Sequence, residues 1–351
     1  MFTNVSAVYF NESEEIINGT FNNKLSYRGW TFSAIMRTTM CIVQIILNLA
    51  MSTMIFSRKS LRTSFTVYVV FLLSSNLLVA IMQYPLEIQR ILYRKWSLSE
   101  ASCTLYLYNI WVLLALPIHS HLLLTINRLW ALTFPLSYKN HHSKRVAGIL
   151  CGVTLLYIHV FFLPLVIIDR GFYRASSRTY GCTTNYAMPM VNKYAIAVQM
   201  VGCNIPLLFI VVVFPYLAVM ERQRKRTVGL AQTATPYNLG IMGFFANAIA
   251  QPNHSHSSPN KARAATVRRN NRLSNRPFAL LTLLTISITI CWTPIFTYWT
   301  TVLFVPLGSD YSGFRNFASA LVTLQPALDP ILFGLSLRNV RKVFVQQITC
   351  R

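Results

Sequence analysis

The apolar residues of this chain are gathered into long runs, which polar and basic segments separate. About 20 apolar residues in a helix cross the hydrocarbon core of a bilayer, and each run is long enough to do so. The pattern therefore predicts an all-α membrane protein, a seven-transmembrane helix bundle. We call the runs spans 1 to 7: Thr38–Phe56, Phe65–Leu86, Ala101–Asn127, Val146–Ile168, Tyr194–Met220, Pro277–Leu307 and Asn316–Leu337, the last interrupted by Asp329.

The composition agrees with a bilayer as the solvent, since 54% of residues are hydrophobic and only 12% are charged. We divide the chain into an extracellular segment 1–31, a bundle 32–335, and a tail 336–351. The segment 221–276, between spans 5 and 6, is polar and basic and is expected to be mostly disordered. Residues 336–346 alternate basic and apolar positions at helical spacing, which predicts a short amphipathic helix on the inner leaflet.

A net charge of +23 raises the question of a nucleic-acid partner. The basic residues cluster after spans 1, 3, 5 and 7, all on one side if the spans alternate, which is the positive-inside pattern. Segment 221–276 contains one acid, Glu221, and lacks interleaved aromatic residues, so an RNA-binding role is disfavoured. We predict a multi-pass protein of the plasma membrane with its N-terminus outside and no nucleic-acid partner.

The N-terminal segment contains three Asn-x-Ser/Thr sequons, which fits exposure to the secretory lumen. Asn253 is also in a sequon, but the topology makes it cytosolic and we expect it to be unmodified. Since no apolar stretch precedes residue 30, span 1 is expected to act as its own insertion signal, without a cleavable signal peptide. The predicted glycosylation sites are Asn4, Asn11 and Asn18.

Two of the seven cysteines lie in outer, oxidising territory, Cys103 at the start of span 3 and Cys182 in the loop before span 5. Four others lie within spans, and Cys350 is cytosolic. We therefore predict a Cys103–Cys182 disulfide that ties the outer loop to span 3. Cys350 is a candidate for palmitoylation, with a free thiol as the alternative.

Polar residues inside the spans need partners, because an unpaired amide in lipid is costly. Asn48 in span 1 and Asn76 in span 2 are expected to face other helices. Pro85 is expected to kink span 2 and free a carbonyl. Glu87, near the outer end of span 2, has two open interpretations, an interfacial pair with Arg90 or a ligand contact.

Several motifs occur in a fixed order: NRL at 127–129 followed by PLSY, CWTP at 291–294 and DPILF at 329–333. With the two outer cysteines, Asn48 and Pro206, they resemble the rhodopsin-like (class A) G protein-coupled receptors. The resemblance covers about residues 32–346, in consistent order and spacing across seven spans.

The resemblance implies roles for individual residues. Arg128 is similar to the arginine that meets the G protein when span 6 swings outward. Trp292 is similar to an aromatic toggle below the ligand cavity, and Pro294 to the kink at which span 6 pivots. Asp329, Pro330 and Phe333 occupy the span-7 motif that rearranges on activation.

The chain also departs from the family's pattern. Asn127 replaces the acid that normally precedes the arginine, so we expect raised basal signalling that Asn127→Asp lowers. Asn76 replaces an aspartate and Pro117 a small hydroxyl residue, so the family's sodium site is expected to be weak or absent, with no cofactor. Phe333 replaces a tyrosine. Asp329 is then the one acid deep in the membrane, and Asn76 is its expected neighbour.

The leading hypothesis is a receptor that activates heterotrimeric G proteins. A transporter is disfavoured, since the spans show no inverted repeat or paired broken segments. An intramembrane enzyme is disfavoured as well. His119 and His121 form the one suggestive pair, and a spacing of two puts them on different helix faces.

For the ligand, Ile110 stands where receptors of amines place an aspartate, which disfavours a biogenic amine. The outer loops are basic and carry aromatic residues, which suits a peptide, with a lipid or anionic small molecule as the alternative. The candidate ligand-binding residues are Glu87, Tyr106, Asn109, Ile110, Tyr298 and Trp299.

Overall fold

The computed structural model describes residues 29–93, 95–177, 181–233, 276–304 and 311–336. In these ranges seven helices are long and apolar enough to cross a membrane, which confirms the predicted fold class. The sequons at Asn4, Asn11 and Asn18, nearly all of the expected amphipathic helix, and Cys350 lie outside the described residues. The seven helices run Phe32–Ser57, Ser64–Leu92, Glu100–Thr133, Lys144–Tyr173, Pro189–Thr233, Arg276–Phe304 and Ser312–Ser336, and a short helix, Pro135–His141, follows span 3.

Most spans begin earlier than the apolar runs predicted, because their first turns are polar. Hydroxyl residues cap four of them: the side chains of Thr31, Thr63, Ser99 and Ser143 accept hydrogen bonds from backbone N–H groups at the starts of spans 1 to 4. A cap oxygen satisfies a donor that the first helical turn leaves free, so these residues define the helix starts.

Two predicted boundaries were wrong. Span 4 does not end at Ile168 but continues to Tyr173, which brings Asp169 into the helix. The helix of span 5 extends to Thr233, so residues 221–233, expected to be disordered, are helical. Residues 234–275 lie outside the described part of the chain.

Three spans contain a π-helical turn next to a proline. The turns are Val79–Gln83 before Pro85, Asn109–Leu113 before Pro117, and Val198–Asn204 before Pro206. A proline lacks the N–H that the carbonyl four residues earlier would accept, and in each case that carbonyl lies inside the π-helical turn. The wider π-helical turn accommodates the carbonyl that has no N–H partner. In span 2 this is the carbonyl that Pro85 was expected to free.

The helices form a ring in which span 3 is central. Span 3 contacts spans 2, 4, 5 and 6, while span 7 closes the ring against spans 1 and 6. Accordingly 72% of the most apolar segment of span 3 is buried within the bundle, against 28% for that of span 4. Spans 4 and 5 approach closely at Gly202, where an added Cβ would overlap the ring of Phe162. Span 3 is therefore the most buried of the seven described spans, and it extends from the outer to the inner end of the bundle.

Candidate functional site

A polar core lies between spans 2, 3 and 7 and is centred on the carboxylate of Asp329. Asn76 Nδ2 donates to Asp329 Oδ2 at 2.9 Å, and Gln325 Nε2 donates to Asp329 Oδ1 at 2.8 Å. His121 Nε2 lies 3.3 Å from the same Oδ1 and 2.8 Å from Gln325 Nε2. Asn76, Gln325 and Asp329 are fully buried. The expected neighbour of Asp329 is therefore in place, and the carboxylate joins three spans.

Span 1 is tied to the same core by two amides. Asn48 Nδ2 donates to the carbonyl of Pro326 at 3.0 Å, and Gln44 Nε2 donates to the carbonyl of Thr323 at 2.6 Å. In a helix the Pro326 carbonyl would bond to the N–H of residue 330, which is Pro330 and has none. Asn48 thus satisfies a carbonyl that the span-7 motif leaves free.

Two members of this core were missed from the sequence. The sequence suggests His121 only as one of a pair with His119, and Gln325 is not among the predicted site residues. The two histidines do point to different sides: His119 packs against Tyr157 and Phe162 of span 4, and His121 faces span 7. The signal that could have identified His121 is its spacing of four residues from Thr125. This spacing places the two polar side chains on one face of span 3, and both are buried.

The surroundings of Asp329 do not fit a sodium ion in this arrangement. The groups that approach its carboxylate are nitrogens of Asn76, Gln325 and His121, whereas a hard cation needs oxygen ligands. The oxygens Asn76 Oδ1 and Gln325 Oε1 are turned away and have no hydrogen-bond partner among the described residues. A weak or absent sodium site remains a prediction.

Apolar clusters lie on both sides of the polar core. The outer cluster contains Trp292, which packs edge-on against Phe296 at 5.5 Å between ring centroids. The inner cluster contains Phe333, fully buried with Leu72 and Leu73 of span 2. Pro294 lies inside the helix of span 6, just outward of Trp292. The proline therefore weakens span 6 next to the toggle residue that the resemblance implies.

At the inner end of span 3, Arg128 is held without an acid beside it in the chain. Its guanidinium carbon lies 4.5 Å from the ring centroid of Phe65, a cation–π contact with span 2. Asn127 is buried, and neither its Oδ1 nor its Nδ2 has a hydrogen-bond partner among the described residues. The amide thus does not replace the carboxylate that the family has at this position.

An aromatic group surrounds His142, between the short helix after span 3 and span 4. The imidazole stacks on Tyr138 at 4.3 Å, meets Trp130 edge-on at 5.7 Å, and its Nε2 lies 3.2 Å from the hydroxyl of Tyr68. Burial and the nearby positive charge of Arg128 lower the pKa of His142 below its ordinary value of 6.5. The neutral imidazole is therefore the form that this contact favours.

The outer end of span 3 is covalently fixed. Cys103 and Cys182 form the predicted disulfide, with 5.5 Å between their Cα atoms, and Cys103 is fully buried. Trp96 packs against Tyr106 beside this bond. The prediction that the outer loop is tied to span 3 is thereby confirmed.

An ion pair that the sequence did not reveal fastens the same loop. Arg174 Nε donates to Asp169 Oδ2 at 2.6 Å, with side-chain exposures of 2% and 1%. Asp169 Oδ1 also accepts from the backbone N–H of Asn185 at 2.9 Å. Glu100 Oε1 accepts from the N–H and hydroxyl of Ser177. The loop is thus held by two acids in addition to the disulfide.

The predicted ligand-binding residues separate into two groups. Tyr106 and Asn109 are buried in protein contacts, and Asn109 Nδ2 donates to the carbonyl of Met82 at 2.9 Å, so both support the fold in this arrangement. Glu87 lies 3.1 Å from Arg37 of span 1, a partner that the sequence did not suggest. Glu87 is partly exposed, as are Ile110, Tyr298 and Trp299.

Comparison with known proteins places these features in a family. The model of the 7 transmembrane receptor (rhodopsin family) matches residues 47–333. The chain is 30% identical to melatonin receptor type 1A of Ovis aries over 178 residues, 51% of this chain and 47% of that receptor. It is 21% identical to octopamine receptor beta-2R of Chilo suppressalis over 357 residues, 96% of this chain and 85% of that receptor.

The chain belongs to the rhodopsin family of seven-transmembrane receptors. The matched part spans about half the length of the melatonin receptors. A shorter match joins the chain to the histamine H1 receptor of Homo sapiens, 30% identical over 120 residues, 34% of this chain and 25% of that receptor. Membership of this receptor family agrees with the expectation that the chain is not an enzyme.

Proposed function

We propose that the protein is a receptor of the plasma membrane, with its N-terminus outside, that binds an extracellular ligand and activates heterotrimeric G proteins. The observation that carries this proposal is the setting of Arg128. The arginine lies at the inner end of the central helix and packs on Phe65. The chain that carries it belongs to a family of receptors. A cation on span 3 that is held by an aromatic face of span 2 can be released when these two spans move apart.

The polar core supplies a route between the two ends. Asp329 links spans 2, 3 and 7 through amide and imidazole groups, and Pro294 weakens the hydrogen-bond ladder of span 6 beside Trp292. A ligand that favours one packing of these elements shifts the population toward it. We infer that outward movement of span 6 then exposes Arg128 to the G protein.

The test is a G-protein activation assay in cells, in which the separation of G-protein subunits is measured for a panel of α subunits. Arg128→Ala is expected to lower activation to the level of untransfected cells while surface expression persists. Arg145→Ala is the matched control, since Arg145 is an exposed basic residue at the inner end of span 4. An Arg128→Ala variant that activates as well as the wild type would contradict the proposed role.

For the ligand, we propose a peptide. The outer acids in the described part of the chain are engaged: Glu87 by Arg37, Glu100 by Ser177, and Asp169 by Arg174. A cationic amine therefore has no acid to pair with at position 110, which is Ile110, and the outer acids of the described residues are already engaged. Exposed basic residues and half-buried aromatic ones at the outer end suit a peptide with acidic and apolar groups. They are Lys95, Arg170, Lys193, Tyr298 and Trp299.

A neutral or anionic small molecule, lipids included, is the second candidate. The likeness to melatonin receptors favours it, because that name denotes a small ligand. Screening peptide, lipid and metabolite libraries in the same G-protein assay separates the two. A hit whose potency falls in Trp299→Ala, with surface expression unchanged, identifies the class of ligand.

A further inference from the structure

Acidic residues are almost absent from the end of the bundle that contains Arg128. The chain has nine acids. Three of them, Glu12, Glu14 and Glu15, lie in the N-terminal segment, and Asp310 lies in the segment that joins spans 6 and 7. Four more lie at the opposite end of the bundle or at the polar core: Glu87, Glu100, Asp169 and Asp329. The segments that join spans 1 and 2, spans 3 and 4, and spans 5 and 6, together with the tail, contain many basic residues and one acid, Glu221.

The position of Glu221 on span 5 directs it into the bundle. Glu221 follows Leu217 by one helical turn, so the two side chains share a face. Leu217 is fully buried and Glu221 is 3% exposed, although its neighbours Arg222 and Gln223 are exposed. Lys, Arg, Asp and Glu side chains are rarely so buried unless a charge or hydrogen bond compensates them.

Span 5, which carries Glu221 on a buried face, packs along the inner half of span 3. The guanidinium of Arg128 interacts electrostatically with Tyr138, in the short helix after span 3, and with the carboxylate of Glu221. Asn127, which stands where the family has an acid, makes no hydrogen bond among the described residues. Arg128 thus has an aromatic contact from span 2 and a negative charge from span 5.

We propose that Glu221 is the counter-charge that holds Arg128 in the resting arrangement, in place of the acid that Asn127 has lost. The restraint then joins span 3 to span 5, and not two neighbouring residues of span 3. Moving span 3 away from span 5 breaks it, so Glu221 acts as a positioning residue for Arg128. This inference rests on the proposed function, because it assigns a regulator to the same inner site.

The first measurement does not depend on coupling to a G protein. Spin labels at Phe134→Cys and Leu283→Cys, both exposed, report the separation of spans 3 and 6 in purified receptor. The receptor used for labelling also carries Cys350→Ser, so that the cysteine of the tail is not labelled. Glu221→Gln is expected to raise the population of the longer distance roughly fivefold, within the range of coupling between protein sites. Glu221→Asp keeps the charge and is expected to resemble the unmodified background.

Relocating the acid is the stricter test. Glu221→Gln with Asn127→Asp restores an acid beside Arg128 and is expected to return the distances, and basal G-protein activation, to the wild-type level or below. Glu221→Gln with Gln223→Glu keeps the net charge but places the acid on an exposed face, so it is expected to behave like Glu221→Gln alone. This pair remains informative if Glu221→Gln by itself expresses poorly.

The outcomes are separable. Distances unchanged by Glu221→Gln, or restored equally by Asn127→Asp and Gln223→Glu, overturn the assignment of Glu221. A receptor whose distances respond as expected but that activates no G protein with any variant supports the assignment of Glu221 and overturns the proposed coupling.

Discussion

The two ends of span 3 are held by different kinds of interaction. At the outer end, a disulfide at Cys103 and the buried pair Asp169–Arg174 fasten the loop over the helix. At the inner end, Arg128 is held by the ring of Phe65 and by charge interactions with neighbouring elements, while Asn127 makes no hydrogen bond among the described residues. Removing a disulfide or one partner of a buried ion pair destabilises a fold by several kcal/mol, whereas a cation–π contact contributes about 0.5–2 kcal/mol.

Under the proposed function, this difference predicts which end of the bundle moves. We expect the cross-linked outer end to keep its geometry on ligand binding and the weaker restraints at the inner end to yield first. A rearrangement at the inner end needs only the free energy that separates two packed arrangements, a few kcal/mol. The variants below test this contrast, and the largest effects are expected at the outer end.

The largest effect is expected from the disulfide. The bond closes a loop between residues 79 positions apart, and a cross-link of that length stabilises a fold by about 4.5 kcal/mol in the chain-entropy account. Cys103→Ser and Cys182→Ser are each expected to abolish surface expression, measured as surface against total receptor by antibody staining. Cys41→Ser, at a free cysteine of span 1, is the control and should reach the surface. Normal surface levels of both disulfide variants would contradict the contrast.

A smaller loss is expected from Asp169→Asn. It leaves the buried charge of Arg174 without its carboxylate, which typically costs about 3–5 kcal/mol. Glu87→Gln is the matched control, because the Glu87–Arg37 pair is more exposed, at 15% and 12%, and is expected to cost less. Thermal unfolding of purified receptor measures both, and Asp169→Asn with Arg174→Gln should recover part of the loss. Equal shifts in unfolding temperature for Asp169→Asn and Glu87→Gln would contradict a larger contribution from the buried Asp169–Arg174 pair.

The smallest effect is expected at the inner end, from the protonation of His142. Its pKa is lower in the folded state than the ordinary 6.5, because of burial and Arg128. The unfolded chain therefore binds this proton more readily, so the contribution to stability is present above pH 6.5 and is lost as the pH falls below it. Unfolding temperatures measured from about pH 8 to about pH 5.5 should decline less steeply in His142→Phe than in the wild type. Parallel curves would show that the contact with Tyr68 does not depend on the neutral imidazole.

Features that depend on position along the chain were predictable. The lengths of apolar runs identify seven spans, and the placement of Cys103 and Cys182 identifies their bond. The expected contact of Asn76 with Asp329 was also found, because few polar residues lie at that depth and each needs a partner. The predicted boundaries were less accurate, since polar first turns and the continuation of span 4 to Tyr173 depend on caps and on helix packing.

Sequence alone therefore determined the membrane class, the family resemblance and the outer disulfide, which follow from hydropathy, the placement of the cysteines and the order of motifs. Only the tertiary structure decided that His121 and Gln325, 204 residues apart, meet at Asp329. It also decided that Asn109 is turned into a helix contact and that Asp169 pairs with Arg174. The reason is geometric: the rotation of each helix about its axis selects the faces that meet, and a single chain pattern is compatible with several rotations.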